Sequence, residues 1–386
     1  MALSNQFYVI TQPGLEAELR QEISEIWPYL LNLEARPNAE PVIFLKQEIG
    51  GWLIEAPLIL GLQLNHFSHL ASRILLRLDE FKVKDFPKLY DRLRKIPVDS
   101  YFSKQDFRVE VAASKSRLNN EKRILELAKK AWPKMQEEAS GAIMIRMHDD
   151  ICTVSVDTTG EHLHRREHRA SDKWIGEAPI RETLAAFCIR KLIAAEPLAS
   201  LSEVILCDPM AGSGTLLKEA HQLLQGHFLR EYSFQKFAVT PKLLKLEGLA
   251  SNFTSFPTLF AKLWATDRDQ KMMEVLRRNL SEISAKQINC ADVFSNSDPV
   301  GVSVTQRLWL VTNPPYGERL EFKEGFERLG EAMAQRSSER IGVILPKGAF
   351  AQFFKGLNRQ SSWQVQSQSF FKNGGISVEF SVFVPA

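Results

Sequence analysis

Two short segments of this 386-residue chain combine residue types that can do chemistry. The first is Asp208-Pro209-Met210-Ala211-Gly212-Ser213-Gly214-Thr215, which follows the apolar run 203–207 and leads into a helical pattern beginning at Leu216. Gly212 and Gly214 permit positive φ and close backbone approach, and the start of a helix offers free N–H groups to an anion. The segment has neither the GxGxxG spacing of a dinucleotide site nor the Gly-Lys-Ser/Thr ending of a P-loop, so pyrophosphate does not fit it. A zwitterion does: Asp208 can accept from an α-ammonium while the loop N–H groups face a carboxylate, and Met210 and Ser213 of the loop are candidate cofactor contacts. Methionine's amino-acid end has that layout of charge.

Two further acids follow at successive apparent strand ends. Asp267 closes the run 263–266 and is placed to accept two ribose hydroxyls, as the acid of nucleotide-binding α/β folds does. Asp292, with Val293 beside it, follows the run 287–290 and can accept from an adenine amino group. The second reactive segment, Asn313-Pro314-Pro315-Tyr316, ends the apolar run 307–312. Consecutive prolines stiffen the backbone there. An exocyclic amine on a nucleobase is a poor nucleophile while its lone pair is conjugated with the ring. The Asn313 amide oxygen and the Pro314 carbonyl can accept its two N–H groups and so aim the emerging lone pair, while Tyr316 stacks on the base. Alignment of amine, methyl group and sulfonium is sufficient for transfer, and no metal is called for.

These segments need a sheet whose strands end at one edge. From about residue 180, apolar runs at 203–207, 260–266, 287–290, 307–312, 341–345 and 376–384 alternate with helical patterns, which predicts a parallel, doubly wound α/β sheet with ligands beyond the C-terminal strand ends. Before it, 7–10, 42–45, 107–112 and 151–156 read as strands. A helix carries Leu15, Leu19, Ile23 and Ile26 on one face, helical spacing recurs over 86–93, and 117–132 reads as a basic amphipathic helix. The stretch 62–79 has no clear period.

Composition places the chain among ordinary globular proteins, with 44% hydrophobic and 25% charged residues. Its length suits two or three domains. No apolar stretch is long enough for a membrane span and no leader precedes 7–10, so a cytoplasmic protein is expected. Cys152, Cys188, Cys207 and Cys290 are too scattered for a zinc site or a disulfide framework. The net charge is only +3, but residues 82–134 hold 15 Lys/Arg against 7 Asp/Glu. Lys115, Arg117, Lys122, Arg123, Lys129 and Lys130 are the candidate phosphate contacts in that basic stretch. Arg165, Arg166 and Arg169 are candidates in the HLHRREHR segment, whose His162, His164 and His168 lack a fourth ligand for a metal.

DPMAGSGT, the two aspartates and NPPYGERL resemble motifs of class I methyltransferases acting on exocyclic amino groups. With FYVITQPGLEAELRQEI, LASRILLRLDEFKVKDFPKLYDRL, VEVAASKSRL, LHRREHR, EAPIRETLAA and NGGISVEFSVF, nearly the whole chain resembles the THUMP-containing RNA guanine-N2 methyltransferases. The resemblance implies a ferredoxin-like unit at 1–60, a THUMP RNA-binding domain at 61–157, a connector at 158–178 and a Rossmann-type methyltransferase domain at 179–386. It implies S-adenosyl-L-methionine as cofactor and RNA as partner, ribosomal RNA ahead of transfer RNA. It also implies cofactor contacts from Pro179 and Thr183 in EAPIRETLAA, and from Asp208, Gly212, Gly214, Asp267 and Asp292.

Two features depart from the family pattern. Asp208 and Asp267 lie 59 positions apart, which makes 226–258 an insertion whose Phe228, Tyr232, Phe234, Phe237, Phe253 and Phe256 are read as local core. The acidic strand end reads Ala-Thr-Asp-Arg-Asp in place of apolar-Asp-x-Asp. The tetrapeptide alone does not separate guanine from adenine, so DNA adenine-N6 methylation is the alternative enzyme reading and a non-catalytic RNA-binding assembly factor the alternative from another class.

Overall fold

In the computed structural model, all residues are described except 1–3, 34–40, 103–105, 140, 167–179, 224, 227–229, 241–258, 296–305, 317–321 and 323. The chain forms two compact units, Met1–His168 with Gly226–Thr254, and Arg169–Gln225 with Ser255–Ala386.

The first unit is built on one seven-stranded sheet of order β2-β3-β1-β4-β7-β6-β5. Its strands are β1 (Ser4–Ile10), β2 (Ile43–Glu48), β3 (Gly51–Pro57), β4 (Arg73–Lys82), β5 (Phe107–Ser114), β6 (Gly141–His148) and β7 (Ile151–Asp157). The segments 1–60 and 61–157 therefore share a single sheet, joined where β1 pairs antiparallel with β4. The unclear stretch 62–79 resolves into the end of α2 (Leu58–Phe67) and most of β4. The even apolar content of α2, buried from Leu60 to Phe67, is what hid its period. Helices α1 (Glu16–Leu33), α3 (Phe86–Leu93), the short α4 (Asp99–Phe102) and α5 (Glu121–Ala131) complete the unit. The basic helix begins later than its charge pattern suggests, because the Asn120 side chain accepts from the Arg123 N–H and caps α5 there.

Sequence order misassigns the insertion. It lies inside the stretch expected to be catalytic, yet Gly226–Thr254 belongs to the first unit. Tyr232 and Phe234 are buried edge-on against His66 of α2, and Phe237 against Phe102 of α4. These rings are core, as expected, but core of the N-terminal unit. Arg230, only 4% exposed, donates to the carbonyls of Glu161 (2.7 Å), His162 (2.9 Å) and Arg165 (2.8 Å) and lies 4.9 Å from the Tyr232 ring centroid. Burial lowers its pKa, and the three carbonyls together with the ring face compensate the desolvated charge.

The second unit carries the expected α/β sheet, with order β10-β9-β8-β11-β12-β14-β13. Strands β8 (Val204–Asp208), β9 (Lys262–Asp267), β10 (Lys286–Cys290), β11 (Arg307–Thr312) and β12 (Arg340–Pro346) are parallel. The last two, β13 (Trp363–Asn373) and β14 (Ile376–Pro385), run antiparallel and depart from the all-parallel expectation. Helices α6 (Glu182–Ile193), α7 (Thr215–Gln222), α8 (Gln270–Asn279), α9 (Phe326–Ala334) and α10 (Phe350–Leu357) cover this sheet. Because β8 is bonded to both β9 and β11, its C-terminal end is the switch point at which α/β sheets open a ligand crevice. No helix among the described residues is long and apolar enough to cross a membrane.

Replacing Arg230 with Ala removes the side-chain donor from the Glu161 and Arg165 carbonyls, while that of His162 keeps the Arg165 N–H at 3.0 Å, and should destabilise the first unit by about 2–5 kcal/mol. Guanidinium unfolding followed by circular dichroism checks this; a midpoint equal to wild type would mean that the insertion is only loosely held.

Candidate functional site

Asp208 ends β8 in the interior of the second unit, and its Oδ1 accepts from the Met210 N–H at 3.1 Å. Burial pushes its carboxyl up to about 7, against the pull of that N–H. The chain then turns through Gly212 (φ +51°) and Gly214 (φ +79°), both in the left-handed region. A Cβ on Gly214 would come within 3.0 Å of Leu276, whereas one on Gly212 would meet nothing within 4 Å. Gly214 is thus required by packing beneath the loop, and Gly212 leaves open space above it. The Ser213 hydroxyl pairs with that of Thr215 at 3.1 Å, and its carbonyl accepts from Asn279 Nδ2 at 2.9 Å.

Asp267 lies beside the loop. Its Oδ2 accepts from the Gly212 N–H and its Oδ1 from the Asp269 N–H, each at 2.9 Å. A carboxylate has about four acceptor positions, so both oxygens keep capacity for hydroxyl donors while Asp267 also closes the loop. Sequence reasoning missed that second task. Asp292 follows β10, and its Oδ1 accepts from the Phe294 N–H at 3.0 Å. The Val293 side chain is buried in the sheet core with Trp264 and Leu308, and Met210 packs against the same core. Thr183 is buried in the first turn of α6, which packs on α7. Pro179 lies outside the described residues.

Arg268, between Asp267 and Asp269, is ion-paired: its Nη1 lies 2.5 Å from Glu324 Oε1, ahead of α9. Asn313 follows β11 directly, at the strand end neighbouring that of β8. Its Oδ1 is buried and has no hydrogen-bond partner among the described residues. An orphaned acceptor of this kind costs about 1–3 kcal/mol, and none of the described residues supplies the donor that would offset it. Tyr316 is partly buried. Its hydroxyl accepts from Asn373 Nδ2 at 2.8 Å, and burial pushes its pKa up to about 12. The crevice therefore offers a buried carboxylate, an open glycine turn, two further carboxylates, a buried amide oxygen and an aromatic ring. It can receive a cationic amino-acid end, a sugar and an amine-bearing ring.

The basic residues divide. Lys115, Arg117, Lys122, Arg123, Lys129, Lys130 and Arg165 are exposed, with the Arg123 guanidinium 4.1 Å from the Phe86 ring centroid. Arg166 is a correction to the expected phosphate contacts: it is 7% exposed, and its Nη2 donates to the His69 carbonyl at 3.0 Å, so its charge is used inside the first unit. Arg169 and His168 lie outside the described residues. The rings of His162 and His164 stack at 5.4 Å.

Because Asp208 keeps its proton to about pH 7 when folded but loses it near pH 4 when unfolded, its ionisation should erode stability as pH rises through that window. Asp208→Asn should match wild type near pH 4 and exceed it above pH 7 by on the order of 2–4 kcal/mol. Urea unfolding at both pH values checks this, and a pH-independent difference would contradict the burial argument.

Residues 169–360 match the family described as RMKL-like, methyltransferase domain. The Synechocystis protein slr0064, provisionally named an RNA methyltransferase, is 27% identical over 87% of this chain and 86% of its own length. The ribosomal RNA large subunit methyltransferase K/L of Psychromonas ingrahamii is 27% identical over 81% of this chain and 45% of its own length. The chain thus spans about half the length of the K/L enzymes that it matches. Among solved structures, SMU.472 complexed with SAH superposes with a TM-score of 0.76 at 21% identity, over 100% of this chain and 99% of that one. The crevice just described lies within 169–360, the part of the chain that matches the RMKL-like methyltransferase domain.

Proposed function

We propose that this protein methylates the exocyclic N2 of a guanosine in structured RNA, with S-adenosylmethionine as donor and 23S ribosomal RNA as the favoured substrate. The observation that carries this reading is the buried Asn313 Oδ1, without a partner among the described residues, in a proline-stiffened segment at the strand end neighbouring that of the glycine loop. The residues fit the cofactor: Asp208 is buried with no cation among the described residues shown to offset its charge, and Gly212 leaves room at the turn.

The cofactor supplies an electrophilic methyl group on a sulfonium. Asp208 would hold its ammonium, the Ser213 amide its carboxylate, Asp267 the ribose and Asp292 the adenine. Asn313 Oδ1 and the Pro314 carbonyl accept the two N–H groups of the target amine. That draws its lone pair out of conjugation and towards the methyl, and the acceptors gain most as the nitrogen acquires positive charge. Tyr316 offers its face to the extruded base, which compensates part of the cost of unstacking.

The K/L relatives and the N-terminal unit support RNA over DNA. In this reading residues 61–157 act as a THUMP domain and the exposed basic side chains meet phosphates in a cytoplasmic setting. Nucleoside mass spectrometry of RNA from a deletion strain should show loss of N2-methylguanosine. Loss of N6-methyladenine from DNA would instead favour the adenine reading.

Asn313→Ala should retain cofactor and RNA binding but lose about 100-fold or more in single-turnover rate, by analogy with removal of one transition-state hydrogen bond. A variant as fast as wild type would remove Asn313 from the chemistry. Neutralising Lys122, Arg123, Lys129 and Lys130 together should flatten the salt dependence of RNA affinity by about one unit of slope per lost contact. Equal slopes would leave this face merely solvated.

A further inference from the structure

The geometry points to Asn373 as the residue that positions Tyr316 for the reaction proposed above, an assignment that rests on that reading. Asn373 lies 57 residues beyond Tyr316 and reaches it from the tip of the antiparallel hairpin at the sheet edge. The hairpin's closing pair is Asn373 with Ile376, and the two residues between them, Gly374 and Gly375, have φ of +58° and +90°. Two successive left-handed residues define the tight turn that suits strand twist, and glycine occupies both positions without strain. The turn thereby fixes which residue stands at the hairpin tip.

From there Asn373 Nδ2 donates to the Tyr316 hydroxyl at 2.8 Å. Prolines restrict the backbone before Tyr316, so its side-chain torsions are the main remaining freedom. The hydroxyl oxygen lies on the long axis of the ring. A bond at that atom therefore holds the ring's position, while packing sets its rotation. Tyr316 remains a neutral phenol at physiological pH. Because its oxygen accepts from the amide, its own hydrogen stays available to another acceptor. Asn373 thus acts through Tyr316, holding the aromatic face where the target base must arrive.

The test is a double-mutant cycle on the full-length protein, measuring RNA methylation and affinity for S-adenosylhomocysteine. Asn373→Ala, Tyr316→Phe and the double variant should each raise KM for RNA by the same factor, about two- to tenfold, with S-adenosylhomocysteine affinity unchanged. Asn373→Asp, whose carboxylate can accept from the phenol, should stay closer to wild type than Asn373→Ala and so separate the hydrogen bond from a general defect of the hairpin. An Asn373→Ala effect that persists undiminished in the Tyr316→Phe background would overturn the assignment, as would a wild-type KM in both single variants. A Tyr316→Ala enzyme methylating at the wild-type rate would instead overturn the reading of the tetrapeptide itself, and the role of Asn373 with it.

Discussion

Asp267 is the junction on which the second unit's crevice depends. Its carboxylate accepts the Gly212 N–H from the loop after β8 and the Asp269 N–H at the start of α8, and its carbonyl accepts the Ala291 N–H beyond β10. Three neighbouring strand ends are thereby held through one residue, and a further bond from the Ala211 N–H to the Thr266 carbonyl seats the loop on β9. Each such bond is worth only about 1 kcal/mol in isolation, but together they leave the glycine turn little freedom. Preorganisation of this kind lets a ligand meet fixed donors and acceptors without first ordering them.

Beside that fixed point lie two of the polar groups that are costly to bury. Asp208 is buried so deeply that its carboxyl holds a proton near neutrality, and Asn313 hides an amide oxygen without a donor among the described residues. A hydrophobic residue at either position would be easier to bury. Here both stand at adjacent strand ends, one suited to a cation and the other to an amine.

Much of this was legible in the sequence because it is local. The glycine loop, the acids after apolar runs and the doubled proline each announce themselves within a few residues, and the parallel strands of the second unit are apolar runs bounded by turns. What was hidden needed tertiary knowledge. The edge strand β13 alternates exposed polar residues with few buried ones, so its apolar signal is weak, although the Asn-Gly-Gly turn after it is a hairpin signature. The contact of Asn373 with Tyr316 spans 57 positions and no period could disclose it. Arg166 matched an exposed basic run in type, but its burial depends on the His69 carbonyl, 97 positions away.

The placement of Tyr232, Phe234 and Arg230 in the first unit has a consequence for how the chain is made. Synthesis proceeds from the N-terminus, and the ribosome releases all seven strands of the first sheet well before residues 230–240. Until those residues emerge, His66 lacks the Tyr232 and Phe234 rings and the carbonyls of Glu161, His162 and Arg165 lack the guanidinium that joins them. The N-terminal unit must therefore wait, incompletely packed, while β8 and the glycine loop of its neighbour are already being translated. Maturation of the two units is interleaved in time, and a nascent chain stalled near residue 200 would present an open flank suited to chaperone capture.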